Sequence, residues 1–341
     1  MITGASGFIG SALRRRLAVD FDLLCVDLFP ATETAKGEVW QIVDVTDSGA
    51  IAKLFANLRR PLAGLVHLAW YYDFSNQPHP GYDAAVRAIA PLAEGFSSAS
   101  VPDAPFIFAS SMAAMAPTEP GHKQTPDWPR SEAWQYPASK VRAERQLRSL
   151  SVPRPIVELV LAAVYSDSCE LVPLYQSIER IRVGSMQSWF YPGRTDRGLT
   201  YVHLDDAVEA IRCALTTRFS GKVHRVLVGE AEPVTNEAIF ASCARVFDRS
   251  GVAKIKVPAG IASLGARAIG IVDRENFVQP WMIKFAEEHF EFDLSETQNL
   301  MSWSPVRKLS ATLPKMLEFA LRETEEWHRL NQQRPWQRRS P

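Results

Sequence analysis

Tyr136 and Lys140 stand four apart in "QYPASK", at the head of a helix predicted over 138–150. That spacing places both side chains on one helix face. A phenol, with an ordinary pKa near ~10, is a poor base at neutral pH, and a nearby ammonium favours the phenolate. Tyr136 could then take the proton of an alcohol as hydride leaves its carbon. Ser111 closes the apolar run "PFIFASS" and could orient the same oxygen from the C-terminal edge of a sheet. Taken alone, the Tyr/Lys pair is equally an ordinary helix surface.

A second set of residues supplies the context. Gly4, Gly7 and Gly10 in "MITGASGFIG" have the spacing of a turn in which backbone approaches a pyrophosphate and a helix N-terminus presents free N–H groups. By itself this is also a glycine-rich loop with no ligand. Asp27 ends a predicted strand at the distance where a carboxylate receives adenosine ribose hydroxyls, and it would repel a 2′-phosphate. Leu28, Phe29 and Pro30 follow with no basic residue, so NAD is expected over NADP. Asp44 is placed either to meet the adenine amino group or to cap the next helix. Lys140 would also hydrogen-bond the nicotinamide ribose. Only Met1 and Ile2 precede the turn, where about five strand residues are usual. The reading is that Met1 is not the natural start or that a stunted central strand is tolerated.

The elements that must hold these residues alternate. Runs at 21–27, 40–44, 62–69, 105–111 and 155–165 read as strands. Stretches 8–18, 47–59, 81–99 and 138–150, then 205–217, 235–248, 277–288 and 309–328, read as helices. The expected fold class is α/β: a Rossmann-type doubly wound parallel sheet with a smaller C-terminal α/β substrate-binding part. Residues 1–165, with contributions from 200–230, would bind NAD, and 166–330 would mainly bind substrate. The stretch 184–201 reads as a loop-rich lid, and 331–341 as a frayed tail. Asp205 is expected to cap its helix, and His67 and His203 to be packed strand ends.

Composition bounds the partners. The 341 residues are 46% hydrophobic, and Lys+Arg balance Asp+Glu at 38 each, so no global field favours nucleic acid or an anionic membrane. The expected partner is a small molecule. Cys25, Cys169, Cys213 and Cys243 are scattered without clustered histidines, which suggests reduced thiols, no metal and a cytoplasmic protein. No apolar run approaches a membrane span of about 20 residues.

In these motifs the chain resembles the extended short-chain dehydrogenase/reductase family, the NAD-dependent epimerases/dehydratases. "TGASGFIG" is similar to its cofactor turn, "VDVTD" to its adenine-side strand end, "LVHLAW" to its His-Leu-Ala-Ala strand, "ASSMAAMA" to its serine strand and "YPASK" to its Tyr/Lys pair. The likeness runs on through "YVHLDDAVEAI", "VLVGEAEPVTNEAIF" and "FDLSETQNLMSWSPVRKL". The resemblance implies Ser111, Tyr136 and Lys140 for catalysis. It implies Gly4, Gly7, Phe8, Ile9, Gly10, Asp27, Asp44, Val45, Leu68, Ala69, Tyr136 and Lys140 around the cofactor. It also implies a homodimer through helices 81–99 and 138–150.

Departures from the pattern narrow the reaction. Met112 and Ala113 stand where dehydratases carry an Asp-Glu pair, which disfavours dehydration and leaves epimerisation or simple alcohol/ketone redox. Trp70 replaces the second alanine after His-Leu and opens "WYYDF", a packing cluster or a substrate-shaping wall. "LAAVYSD" lacks the Arg-Pro and the Gly of sugar-nucleotide enzymes. Arg194 and Arg197 could hold a diphosphate, or lie in a solvated loop. The expected function is hydride transfer on a hydroxyl-bearing small molecule, a nucleotide sugar being the first class. The rivals are a reductase of the hydroxysteroid or dihydroflavonol kind and a catalytically silent NAD-binding sensor.

Overall fold

In the computed structural model the sequence's alternation becomes a sequence of short strands and amphipathic helices, with residues 1–31, 33–185, 190–192, 194, 196–249, 255–257 and 280–331 described. The first half runs β1 (Ile2–Thr3), α1 (Phe8–Leu17), β2 (Leu23–Asp27), β3 (Glu38–Ile42), α2 (Ser48–Ala56), β4 (Leu65–His67), α3 (Pro80–Arg87), α4 (Ile89–Ala99), β5 (Phe106–Ser111), α5 (Gln135–Ser149) and β6 (Ile156–Leu161). Then come β7 (Ala163–Tyr165), α6 (Val172–Arg182), β8 (Phe190–Pro192), β9 (Gly198–Leu199), β10 (Tyr201–His203), α7 (Leu204–Thr216), β11 (Val223–Val228), β12 (Val234–Thr235), α8 (Asn236–Val246) and β13 (Ile255–Val257). A 3-10 segment (Pro280–Glu287), α9 (Ser295–Met301), α10 (Leu309–Arg322) and α11 (Thr324–Asn331) close the described chain.

Seven strands form one parallel sheet in the order β11-β6-β5-β4-β1-β2-β3. The order reverses between β1 and β4, and a doubly wound sheet opens its ligand crevice at such a point. β1 has only two residues yet bonds on both sides, Ile2 pairing with Cys25 and Val66, and Thr3 with Val26 and His67. One face is sealed by Leu13 and Leu17 of α1 and Ala207 and Ile211 of α7, packed over Ile107 and Val157. The other is sealed by Ile51 of α2, Leu92 and Phe96 of α4, and Ala143 and Leu147 of α5, over Leu65 and Phe106. A separate core gathers Leu174, Ile178, Cys243, Leu313, Leu317 and Trp327 from α6, α8, α10 and α11. Among the described residues no helix is long and apolar enough to cross a membrane.

Several boundaries differ from the sequence reading for definite reasons. The helix expected over 81–99 is two, broken at Ala88. Pro91 has no N–H to give to the carbonyl of Arg87, and its ring crowds that carbonyl. The strand expected over 155–165 is also two: β6 stays in the main sheet while β7 leaves it to pair with β10. The helix over 309–328 breaks at Glu323. That over 277–288 is the 3-10 segment, with 277–279 outside the described residues. α6 and α9 went unread, although Leu174, Tyr175, Ile178 and Ile181 of α6 recur at helical spacing. Residues 186–189, 193 and 195 of the expected lid, and 332–341 of the tail, lie outside the described residues.

Candidate functional site

The glycine turn sits at the switch point because nothing larger fits there. Gly4 has φ +71°, and a Cβ on it would lie 2.6 Å from the backbone nitrogen of Ala69, the residue that with Leu68 continues β4 beneath the turn. A Cβ on Gly10 would lie 2.1 Å from the carbonyl oxygen of Gly4, so α1 can approach the turn only as glycine. Gly7 is less constrained, and as N-cap it supplies no side chain to the first-turn N–H groups of Phe8, Ile9 and Gly10. An uncapped N-terminus of this kind suits an anion.

Asp27 closes β2 beside the turn. Its Oδ2 accepts the N–H of Ser6 at 2.8 Å and its Oδ1 that of Leu28 at 2.7 Å. The carboxylate is therefore held at the rim of the crevice, where ribose hydroxyls can exchange with these bonds. Asp44 is exposed, and its Oδ1 accepts from the backbone N–H and hydroxyl of Thr46. The capping role considered for it belongs to Asp47, which accepts from Gly49 and Ala50 at the start of α2. Val45 is half-buried against the core beneath α2 and α4. These backbone and carboxylate groups fit the pyrophosphate and ribose of a dinucleotide.

Ser111, Tyr136 and Lys140 come together at the C-terminal edge of β5. α5 begins at Gln135, three residues earlier than read, so Tyr136 lies in its first turn. Ser111 caps the 3-10 turn Met112–Ala114 by accepting from Ala113 N–H at 3.2 Å, and its side chain hydrogen-bonds the Tyr136 phenol. Met112 is buried in that turn. Lys140 Nζ donates to the carbonyl of Ala109 at 2.7 Å and stands 4.0 Å from the centroid of Trp70, 4.9 Å from Phe108 and 5.7 Å from Tyr136. Trp70 is fixed there by its Nε1–H bond to Ser139 Oγ, at 3.1 Å. That Trp70 covers Lys140 was not legible from "WYYDF".

The electrostatics follow from burial. Lys140 is pushed down to about 7, chiefly because its ammonium is desolvated, with the Glu144 carboxylate opposing. Tyr136 is pushed up to about 12 by burial, opposed by the hydrogen bond from Ser111. The sequence reading expected a phenol lowered by its ammonium neighbour. Here burial sets the direction, and Tyr136 at neutral pH is a proton donor. His67, packed at the end of β4 with Nδ1 2.7 Å from Thr3 Oγ1, is pushed down to about 3 by burial and then by Lys140, and so stays neutral.

The expected anion ligands are occupied. Arg194 is exposed and forks onto Asp196 at 2.5 and 3.0 Å. Arg197 is buried, with Nη2 2.6 Å from Glu119 Oε2. It lines a cavity of about 460 Å³ with Thr118, Glu119, His122, Trp128 and Glu287. Asp205 does not cap α7: His203 does, its Nδ1 accepting from Asp205 N–H at 3.1 Å, and it is packed as read. The four cysteines form no disulfide among the described residues, and Cys25, Cys169 and Cys243 are buried.

Comparison with known proteins gives the family and the fold. The model of the NAD dependent epimerase/dehydratase family matches residues 1–229. A search of curated proteins finds no match. Among solved structures, the UDP-glucose 4-epimerase of Thermotoga maritima with UDP-glucose is 18% identical with a TM-score of 0.71, covering 95% of this chain and 98% of that one. The Thermus thermophilus UDP-glucose 4-epimerase with NAD is 20% identical at 0.67, covering 93% and 97%. Bordetella bronchiseptica WbmG with NAD is 20% identical at 0.68, covering 94% and 92%. At such identities the likeness to solved structures establishes the fold.

Proposed function

We propose, since the chain belongs to the NAD dependent epimerase/dehydratase family, that it moves hydride reversibly between NAD and the carbinol carbon of a hydroxyl-bearing small molecule. NAD supplies the two-electron carrier. Gly4, Gly7 and the N–H groups of Phe8, Ile9 and Gly10 would hold its pyrophosphate, Asp27 the adenosine ribose, Asp44 and Val45 the adenine, and Leu68 and Ala69 the floor of the crevice. Tyr136 gives a proton to the substrate oxygen in reduction and takes it in oxidation. Ser111 orients that oxygen, and Lys140 supports the phenolate and the nicotinamide ribose. The observation that carries this reading is the meeting of Ser111, Tyr136 and Lys140 at the edge of β5, with the glycine turn at the switch point two strands away.

Met112 is buried and Ala113 has no functional group, so the turn after Ser111 offers neither acid nor base for expelling water. Epimerisation or simple redox is favoured over dehydration. Nucleotide sugars are the first class to assay, because two of the neighbours named above are UDP-glucose 4-epimerases. We also place the protein in the cytoplasm, in keeping with four cysteines that form no disulfide, as a homodimer through α3, α4 and α5. A monomer in light scattering removes the dimer.

Tyr136→Phe tests the mechanism. Turnover should fall by about 10²–10⁴-fold with NAD binding unchanged, followed by nicotinamide absorbance and calorimetry. Equal activity in the variant sinks the role given to Tyr136.

A further inference from the structure

Tyr136 and its neighbour Trp134 gather rings from two distant segments. Tyr72 packs edge-on at 4.5 Å and Trp134 lies at 5.5 Å. From Trp134 the run continues to Trp281 at 5.0 Å and then to Phe285 at a further 5.6 Å. Tyr72, Trp134, Tyr136, Trp281 and Phe285 are all half-buried, so each ring keeps some open surface. The outcome is an apolar, flat-walled track leading away from the proton-transferring oxygen. Trp281 adds a polar cue, because its Nε1–H is buried with no acceptor among the described residues. A buried N–H is stabilised by an acceptor, and a ligand's carbonyl, ether or hydroxyl oxygen would provide one.

Charge at the far end of the track points the same way. The segment carrying Trp281 leads to Glu287 and Glu288, which line the cavity together with Glu119, Thr118, His122 and Arg197. Arg197, the arginine among these lining residues, is already paired with Glu119. Arg194, the other candidate, is forked onto Asp196. A diphosphate entering along this wall would find both of these guanidiniums already engaged by carboxylates.

We infer that the site takes an uncharged, flat, aromatic or fused-ring secondary alcohol or its ketone, stacked on Trp134 and Trp281, in preference to a nucleotide diphosphate sugar. This rests on the hydride-transfer reading above. The alcohol gives its C–H hydrogen with the bonding electron pair to the oxidised nicotinamide of NAD and its O–H proton to Tyr136, becoming the ketone. The ketone is reduced by the reverse transfers.

The test supplies the full chain with NAD and offers two panels: ring alcohols such as indanol and tetralol, with their ketones under reduced cofactor, and UDP-glucose, UDP-galactose and UDP-glucuronic acid. The expected result is turnover of the ring compounds only. Trp281→Ala should raise KM for them about tenfold with kcat little changed, and Trp281→Phe should restore most of the loss. Turnover of a UDP-sugar alone, abolished by Tyr136→Phe, overturns the inference and leaves hydride transfer standing. Silence on both panels with NAD bound counts against both. Ring-compound turnover that Trp281→Ala leaves untouched overturns the stacking track.

Discussion

Lys140 and Glu144 lie one turn apart on α5, at 3% and 2% exposure, and the fold treats them in opposite ways. Glu144 is saturated with donors. Ser110 Oγ and Arg130 Nη2 bond it closely, Arg130 Nε lies at 2.9 Å and Arg225 Nη2 at 3.2 Å. Arg225 also reaches Glu158 of β6 at 3.1 Å, and Arg148 completes that pair at 2.7 Å. Lys140 has the Ala109 carbonyl and three aromatic faces. The first arrangement fixes a charge and the second leaves one free to change. A buried group with full partners serves architecture, here locking α5 onto β5, β6 and β11, whereas a buried cation with few partners can gain or lose its proton near neutrality.

The contrast breaks most visibly at the saturated end. Arg225→Met removes the cation shared by two buried carboxylates, and the expected loss of stability is about 3–5 kcal/mol, read from urea unfolding. A loss below about 1 kcal/mol would mean that the network is solvated and the contrast with Lys140 false.

Lys140→Met tests the other end and works through pH. The folded-state value of Lys140, about 7, lies below its ordinary 10.5. The unfolded chain therefore binds more protons in between, and the native protein gains stability as pH rises through that window; the penalty is complete below about 7. The methionine variant lacks this slope. Between about pH 7 and pH 9.5 the stability of wild type relative to the variant should rise by about 3 kcal/mol, while turnover is lost at every pH. Parallel unfolding curves for the two proteins would show that Lys140 is solvated and charged.

What could be read beforehand divides along the same line. The glycine turn was legible because its constraint is local: backbone at Gly4 and Gly10 leaves no room for a Cβ, whatever the rest of the chain does. The Tyr136/Lys140 pair was legible from a spacing of four, and Ser111 from its place at a strand end. Side-chain surroundings were not, because they join residues far apart. Arg225 meets Glu144 across 81 positions, and Trp281 reaches Trp134 from beyond the main sheet. The direction of the Tyr136 shift was misread for that reason: the ammonium four residues away was visible, and the burial of the phenol, with the Tyr72 ring packed on it from a distant segment, was not. The break at Ala88 was within reach, since Pro91 is plain in the sequence.

Trp70 sharpens the contrast with the smallest change. It gives Lys140 its nearest aromatic face and is itself held by Ser139, whose Oγ also donates to the Tyr136 carbonyl at 2.6 Å. A ring face favours the ammonium by about 0.5–2 kcal/mol, so Trp70→Leu should lower the Lys140 value further. The other groups facing Lys140 are His67, Tyr136 and Glu144. Glu144 favours the ammonium, and the neutral His67 cannot replace the lost ring. If Tyr136 relies on a charged Lys140 in oxidation, the activity that Lys140 supports should fade at lower pH in the variant, with KM for NAD little altered. A pH–rate profile unchanged in position, with only kcat reduced, would assign Trp70 to packing and leave the Ala109 carbonyl and Glu144 as the groups that set the charge of Lys140.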